Sequence, residues 1–521
     1  MTVLSARPQV PPGRVPAGHQ ANRWSVLALL CFSLLLIAVD ATVLHIAVPA
    51  LTAALEPSAV QLLWIIDIYS LVVAPLLVTF GTLGDRYGKR RFVLAGYVVF
   101  GVASLAAAFA GGPLMLIAAR ALLGVGGAMI MPATLSIIRQ VFTDRRERAV
   151  ALGVWSAVAA GGAAVGPLVG GVLVEHFWWG AVFLINVPLL VVALPLAMRL
   201  LPGSRGDRRH RWDAPSAALS VLGILFVAFG LKEAGHGSLM GTRPALAILV
   251  AGVALLVWFT ARQRRLAHPL LDIGLFAQRG FALGVVCVLL AVFALVGLQL
   301  MLAQYLQLVL GDSPLRAGVR MLPLMIAAIA GGLCAARLLQ RFGLRATMSG
   351  GLALSGLSLA PTVTWGAEQH PLLLCLCFAG IGFGVEVALL AASDTIMASA
   401  PEARAGGAAA IEETAYELGA GLGVAVLGTI TTVVYAPAVA TVPGVGPHAM
   451  GQARESLASA AHVAREIGGG TGATLMDTAR AAFVTALHST VVVSVVLLAA
   501  TALAAAVLVP RRRAAPRSAP R

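Results

Sequence analysis

Residues 25–48 read SVLALLCFSLLLIAVDATVLHIAV, and this stretch decides the fold class. A run of about 24 apolar residues is long enough to cross the hydrocarbon of a bilayer as a helix. One acid, Asp40, stands about halfway along it. A charge at the bilayer centre costs about 2.5 to 3.5 kcal/mol on insertion scales, so an acid kept there points to function. The segment before Asn22 is Pro-rich and basic, but no small-residue cleavage site follows the apolar run. The run therefore reads as a retained first span rather than a signal peptide.

Working outward, similar runs recur at 62–80, 92–110, 114–138, 149–174 and 181–198, then at 214–231 and 245–261. Six more follow at 281–310, 317–338, 347–365, 371–392, 406–434 and 482–509. The total is about fourteen spans. Across 521 residues, 59% are hydrophobic and 11% charged, with mean hydropathy +0.91, which excludes a water-soluble globule. The expectation is an all-α polytopic membrane protein. Basic linkers at 202–211 and 262–269 bracket the middle pair, so the spans group as six, two and six. The implied organisation is a tail 1–24, a six-helix bundle 25–200, a linker 201–270 carrying two additional spans, a second six-helix bundle 271–510 and a basic tail 511–521. Within the second bundle, 435–481 is long, Ala/Gly-rich and mildly charged, and parity makes it an outer loop. A solvated linker is the expectation there, with room for a short amphipathic helix around 451–466.

The formal charge of +15 does not indicate nucleic acid. Arg and Lys gather in alternate connections, at 85–91, 144–148, 205–211, 262–265, 337–345 and 511–521, which the positive-inside rule makes cytoplasmic. An even number of spans places both termini there too. The five cysteines, Cys31, Cys287, Cys334, Cys375 and Cys377, all lie in apolar runs without a CxxC pair, so neither disulfide nor metal site is implied.

Three strings are more specific than composition. After the second run comes Gly81-Thr-Leu-Gly-Asp-Arg-Tyr-Gly-Lys-Arg-Arg91. Gly81, Gly84 and Gly88 permit a turn between close helix ends, Asp85 caps the next helix or pairs with a cation, and Arg86, Lys89 and Arg90 pin the loop to the cytoplasmic face. The fourth run opens Arg120-Ala-Leu-Leu-Gly-Val-Gly-Gly-Ala128; an intramembrane Arg must find an acid or a carbonyl, or snorkel outward from the membrane edge. The fifth holds Gly162-Ala-Ala-Val-Gly-Pro-Leu-Val-Gly-Gly171, where Gly162, Gly166, Gly170 and Gly171 allow close helix approach and Pro167 removes a backbone donor.

In this order and spacing the strings resemble those of the major facilitator superfamily, the third being similar to the motif of drug:proton antiporters. Val39-Asp-Ala-Thr-Val-Leu-His-Ile-Ala-Val-Pro49, Leu63-Trp-Ile-Ile-Asp-Ile-Tyr-Ser70, Ser393-Asp-Thr-Ile-Met-Ala-Ser399 and Glu412-Glu-Thr-Ala-Tyr-Glu-Leu-Gly-Ala-Gly-Leu-Gly423 extend the resemblance to the fourteen-helix family and its QacA-like branch, exporters of quaternary ammonium compounds and cationic dyes. The resemblance implies two six-helix bundles plus two central spans, a bacterial cytoplasmic membrane, a monomer, and a proton-coupling role for Arg120. The chain departs from it at 337–345, a degenerate echo of the first string without its Asp, and in 317–338, which has no acid.

The residues themselves agree. A carboxyl in low dielectric favours its protonated form and releases the proton when a cation arrives or water enters, so proton and cationic substrate compete for one site. Asp40 is the favoured coupling acid, or a packing acid satisfied by Thr42 or a neighbouring helix. Asp67 is a secondary cation contact or an interfacial acid. Glu413 and Glu417, four apart, share a helix face, while Glu412 points about 100° away with Tyr416. Glu386 is a further candidate, Asp394 reads as structural, and His45 as a hydrogen-bonded neighbour of Asp40. Trp64, Tyr69 and Tyr416 are candidate aromatic contacts for planar cations, as are Trp155 and Tyr305, with core packing the plainer role for each. No HExxH, GxSxG, Walker A loop or metal-spaced set appears, and repeated polar rings of a channel are absent, so no cofactor is implied and the drive is a proton gradient. The reading is antiport of cationic amphiphilic small molecules against protons. The alternative is a dedicated exporter of an endogenous antibiotic or metabolite on the same fold.

Overall fold

The computed structural model describes residues 23–203, 213–235, 242–266, 269–271, 273–364, 366, 371–400 and 405–509. The tail before Arg23 and the basic stretches 205–211 and 511–521 lie outside the described residues. All regular structure among the described residues is helical: α1 Arg23–Leu55, α2 Ala59–Tyr87, α3 Lys89–Ala108, α4 Pro113–Val141, α5 Arg145–His176, α6 Ala181–Leu184, α7 Asn186–Leu200, α8 Ala214–Gly235 and α9 Thr242–Gln263. Then follow α10 Arg279–Gln304, α11 Pro314–Arg320, α12 Leu322–Leu359, α13 Pro371–Ser399, α14 Ala405–Ala438, α15 Pro447–Glu455, α16 Leu457–Ile467 and α17 Gly469–Leu508.

Twelve helical runs among the described residues are long and apolar enough to cross a membrane. One of these, Pro314–Thr364, spans 51 residues. Its backbone breaks at Gly343 (φ 78°, ψ 168°), so it contains two limbs. The 32-residue α5 is not among the twelve. Fourteen crossings therefore require the two limbs to be counted apart and α5 to be added.

The break at Gly343 repeats the turn at Gly88 between α2 and α3 (φ 105°). Both positions lie in the region where only glycine avoids a Cβ penalty. In each turn the arginine two residues earlier lies over the ring that separates it from the glycine, Arg86 on Tyr87 at 5.4 Å and Arg341 on Phe342 at 5.5 Å. The weak echo in the second half of the sequence thus repeats the glycine turn and the arginine beside it, without the acid. We call the end of the bundles carrying these turns the basic end.

Small residues set the packing. On α5, a Cβ at Gly162 would stand 2.9 Å from Ala38 of α1, one at Gly166 3.0 Å from the Cβ of Thr42, and one at Gly170 2.7 Å from the Val43 carbonyl oxygen. Gly171 and Gly318 do the same between α5 and α11, meeting the carbonyls of Pro314 and Pro167. The exporter-like motif is therefore a three-helix seam. α8 and α9 pack on each other through Gly223, Gly230 and Gly252, and α8 lies against α2 and α14.

At the far end, opposite the Gly88 turn, the two bundles are tied together. Glu175 of α5 accepts from the Ser313 hydroxyl (2.8 Å) and the Leu315 N–H (2.9 Å), and Gln307 donates to the Ile46 carbonyl (3.1 Å). The ties at the basic end that involve Arg23–Glu147 (2.7 Å), Asp85–Lys89 (3.2 Å) and Arg90 with the Met198 carbonyl all stay within the first bundle.

The stretch 435–481 is not the solvated linker expected from its composition. α14 continues to Ala438, α17 already begins at Gly469, and between them α15 and α16 form a short helical pair. Leu457, Ala460 and Val463 are buried, and Ser456 caps α16 by accepting from the Ser459 N–H at 3.1 Å. His462 sits 3.3 Å from Glu56 of the first bundle. An Ala-rich amphipathic strip found a surface to bury itself against.

Candidate functional site

Two groups of buried charge lie within the helices, one in each bundle. In the first bundle, Asp40 of α1 is fully buried. Its Oδ2 lies 3.0 Å from Nη1 of Arg120 on α4, and its Oδ1 accepts from Nδ2 of Asn186, the first residue of α7, at 2.7 Å. Asn186 also donates to the Ser104 hydroxyl at 3.2 Å. The remaining donors of Arg120 reach the carbonyls of Ile65 (3.2 Å) and Ile66 (3.3 Å) on α2. The ring of Tyr69 lies 4.9 Å and that of Phe183 5.8 Å from the guanidinium. Arg120 therefore does not snorkel; it is 1% exposed and fully partnered. A desolvated ion pair holds only when further hydrogen bonds satisfy both ions, and here they do.

The second group lies on α14. Thr414, Gly421 and Gly428 face α2: the Thr414 hydroxyl reaches the Ala74 carbonyl (3.4 Å), Gly421 meets Leu71 and Gly428 meets Leu63. On an adjoining face Gly419 and Gly423 press on the carbonyls of Leu289 and Phe293 of α10. Glu417, between Thr414 and Gly421, is buried and within hydrogen-bonding reach of Ser70. Glu412 reaches Ser393 of α13. Glu413 and Tyr416 are half-buried beside them, so α14 is already inside the fold at Glu412. Glu386 of α13 lies opposite Gly332 of α12, its Oε1 3.8 Å from where a Cβ would be. Among the described residues no Lys or Arg pairs with Glu386, Glu412, Glu413 or Glu417.

Asp67 is buried (2% exposed). With Leu63, Ser70 and Ala74 it forms one stripe of α2 that runs along α14. Tyr69 covers Arg120, so its ring belongs to the ion-pair centre. Trp64 packs 6.1 Å from Phe229 on α8, on the outer flank of that stripe. Trp155 donates to Thr134 (3.3 Å) and Tyr305 to the Gly366 carbonyl (2.7 Å). Asp85 pairs with Lys89 and caps nothing. Asp394 is exposed and His45 is buried in α1. Sequence reasoning missed Asn186, Ser104 and Ser70. Asn186 carried a signal, a single amide within the apolar run 181–198; the two serines carried none. No group of three or more His, Cys, Asp or Glu that could hold a metal occurs among the described residues.

Two helical bundles meeting along a seam lined with buried carboxylates define a polytopic membrane transporter. The chain belongs to the Major Facilitator Superfamily, whose model matches residues 30–424. It is 42% identical to the multidrug efflux pump LfrA of Mycolicibacterium smegmatis, covering 91% of this chain and 94% of that protein. It is likewise 42% identical to the methyl viologen resistance protein SmvA of Salmonella typhimurium, over 89% and 93%. A bacterial homologue of the lysosomal transporter Spinster has the same fold, with TM-score 0.67, 17% identity and coverage of 94% and 98%. Family membership makes the chain a transporter rather than an enzyme.

Proposed function

We propose that this protein is a proton-coupled exporter of lipophilic organic cations, such as quaternary ammonium compounds and ethidium. One observation carries the reading: the carboxylates of α13 and α14 have no basic partner among the described residues, while Asp40 has one. Acids held out of water must be neutralised. Protons do so in one state of the cycle and a substrate cation in another. The glycine contacts along α14 and the reach of Glu417 to Ser70 of α2 support this reading, because that acid lies between the bundles, where alternating access moves one against the other. Similarity to two pumps named for multidrug efflux and methyl viologen resistance supports export, and methyl viologen is itself a cation. By the positive-inside rule the basic end is cytoplasmic, with both termini there. We assign the chain to a bacterial cytoplasmic membrane as a monomer, driven by the proton gradient without a cofactor.

The test is ethidium efflux from cells lacking their own pumps, comparing the protein with Glu413→Gln before and after a protonophore. Efflux that collapses with the protonophore and weakens in the variant is expected. No efflux from folded protein overturns the reading in favour of a dedicated metabolite exporter.

A further inference from the structure

A small pocket, partly open to solvent, lies at the far end of the α2–α14 seam. Its walls come from both bundles and from the helical pair above them: Leu63 and Ile66 of α2, Met301 of α10, Tyr435 of α14, Phe483 of α17 and Glu455 at the end of α15. It exists where Gly428 brings the helices together, since a Cβ there would clash with a Leu63 methyl.

The lining has a definite chemistry. Its hydroxyls are spent within the protein: Thr431 donates to the Leu427 carbonyl (2.9 Å), Thr432 to the Gly428 carbonyl (3.1 Å) and Tyr435 to the Ala453 carbonyl (3.0 Å). The charged side chain of the lining is Glu455, at its solvent-exposed rim. Its neighbour Arg454 turns away, to the Val439 carbonyl (3.3 Å) and the Thr441 hydroxyl (3.0 Å). Among the described residues no cation pairs with Glu455. Apolar and aromatic walls with one unmatched carboxylate fit an amphiphilic cation and suit neither an anion nor a strongly hydrated metal ion. The position is informative as well. Asp67 adjoins Ile66 in the floor, and Ser70 with Glu417 lies one turn further along the same stripe.

We infer that this cavity is a second cation site, occupied by the substrate after it leaves the α14 acids, with Glu455 as its counter-charge. The inference deepens the proposed export of lipophilic cations and rests on it for the identity of the occupant. The sequence of carboxylates along one seam, Glu417, then Asp67, then Glu455, divides a long transfer into short ones.

The test uses Thr432→Cys, with modification at residue 432 read by mass spectrometry so that the native cysteines do not interfere. The full-length protein is treated in parallel with a cationic reagent, methanethiosulfonate ethyltrimethylammonium, and a neutral one, methyl methanethiosulfonate. The expected result is a ratio of cationic to neutral rates that falls severalfold when Glu455→Gln is added. Tetraphenylphosphonium is expected to slow labelling, and to do so still in a Glu413→Gln background. An unchanged ratio with Glu455→Gln, or no protection by tetraphenylphosphonium, overturns the site. If Thr432→Cys does not fold, Gln304→Cys on the α10 wall takes its place. Intact ethidium efflux without charge preference at residue 432 rejects the cavity alone. Charge preference without efflux keeps the cavity and rejects the transport reading.

Discussion

Asp40 in the first bundle and Glu413 in the second are both acids set into apolar helices, yet they live in different electrostatic settings. Asp40 has Arg120 at 3.0 Å and Asn186 at 2.7 Å. Glu413 has Glu412 beside it and Glu417 one turn away, with no cation paired to it among the described residues. The first centre is neutral as built and held by four helices, α1, α2, α4 and α7. The second becomes neutral only by taking up something mobile. A closed pair gives rigidity; an open one gives binding. The glycine motif on α5 serves the first kind of centre, since it seats α1, and with it Asp40, at a fixed depth.

The comparison breaks most visibly at Arg120. In Arg120→Met, Asp40 is left buried without its partner, at a cost of about 3 to 5 kcal/mol. A large fall in thermal unfolding temperature in detergent, or loss of folded protein, is the expected outcome; a native melting curve would mean that the pair carries little of the fold. Glu417→Gln gives the opposite pattern. Melting should stay as in the native protein, because the change removes an unpaired buried charge, while cation efflux drops about tenfold or more, equivalent to about 1.4 kcal/mol. A destabilised Glu417→Gln with normal transport would make this acid structural.

The smallest effect is expected at an ion pair outside the hydrocarbon. Asp213, just before α8, has its carboxyl held below the usual range, chiefly by the hydrogen bonds from Arg262 (2.9 and 3.0 Å), against a smaller opposing effect of desolvation. A depressed carboxylate contributes stability above its ordinary pKa of about 3.9 and loses it as pH falls through the folded value. Asp213→Asn should therefore lower the melting temperature slightly at neutral pH and leave it unchanged in strong acid. A difference that persists in acid would assign the effect to packing.

Much of the fold was readable because a bilayer is a demanding solvent. Every backbone donor must be satisfied within a helix, so apolar runs alone predict where helices lie. The need of Arg120 for a partner was also readable, since no intramembrane arginine stands alone. Its partner was not, because Asp40 is 80 residues away and only the packing of α1 against α4 brings them together. Ser70 and Asn186 joined the site for the same reason. At the far end a short helix around 451–466 was legible and α16 bears it out, but its burial was not, because Ala and Gly, weak in hydropathy, are favourable once a surface covers them.

By itself, the sequence determined that this chain crosses a membrane repeatedly, that its basic turns share one side, and that several acids are held where water is scarce. Length, hydropathy and charge are local properties and survive without knowing any neighbour. The tertiary structure alone decided which acid is matched by a cation and which is not, because matching depends on distances of about 3 Å between helices far apart in the chain. That difference separates Asp40, neutralised by an arginine of its own bundle, from acids with no basic partner among the described residues.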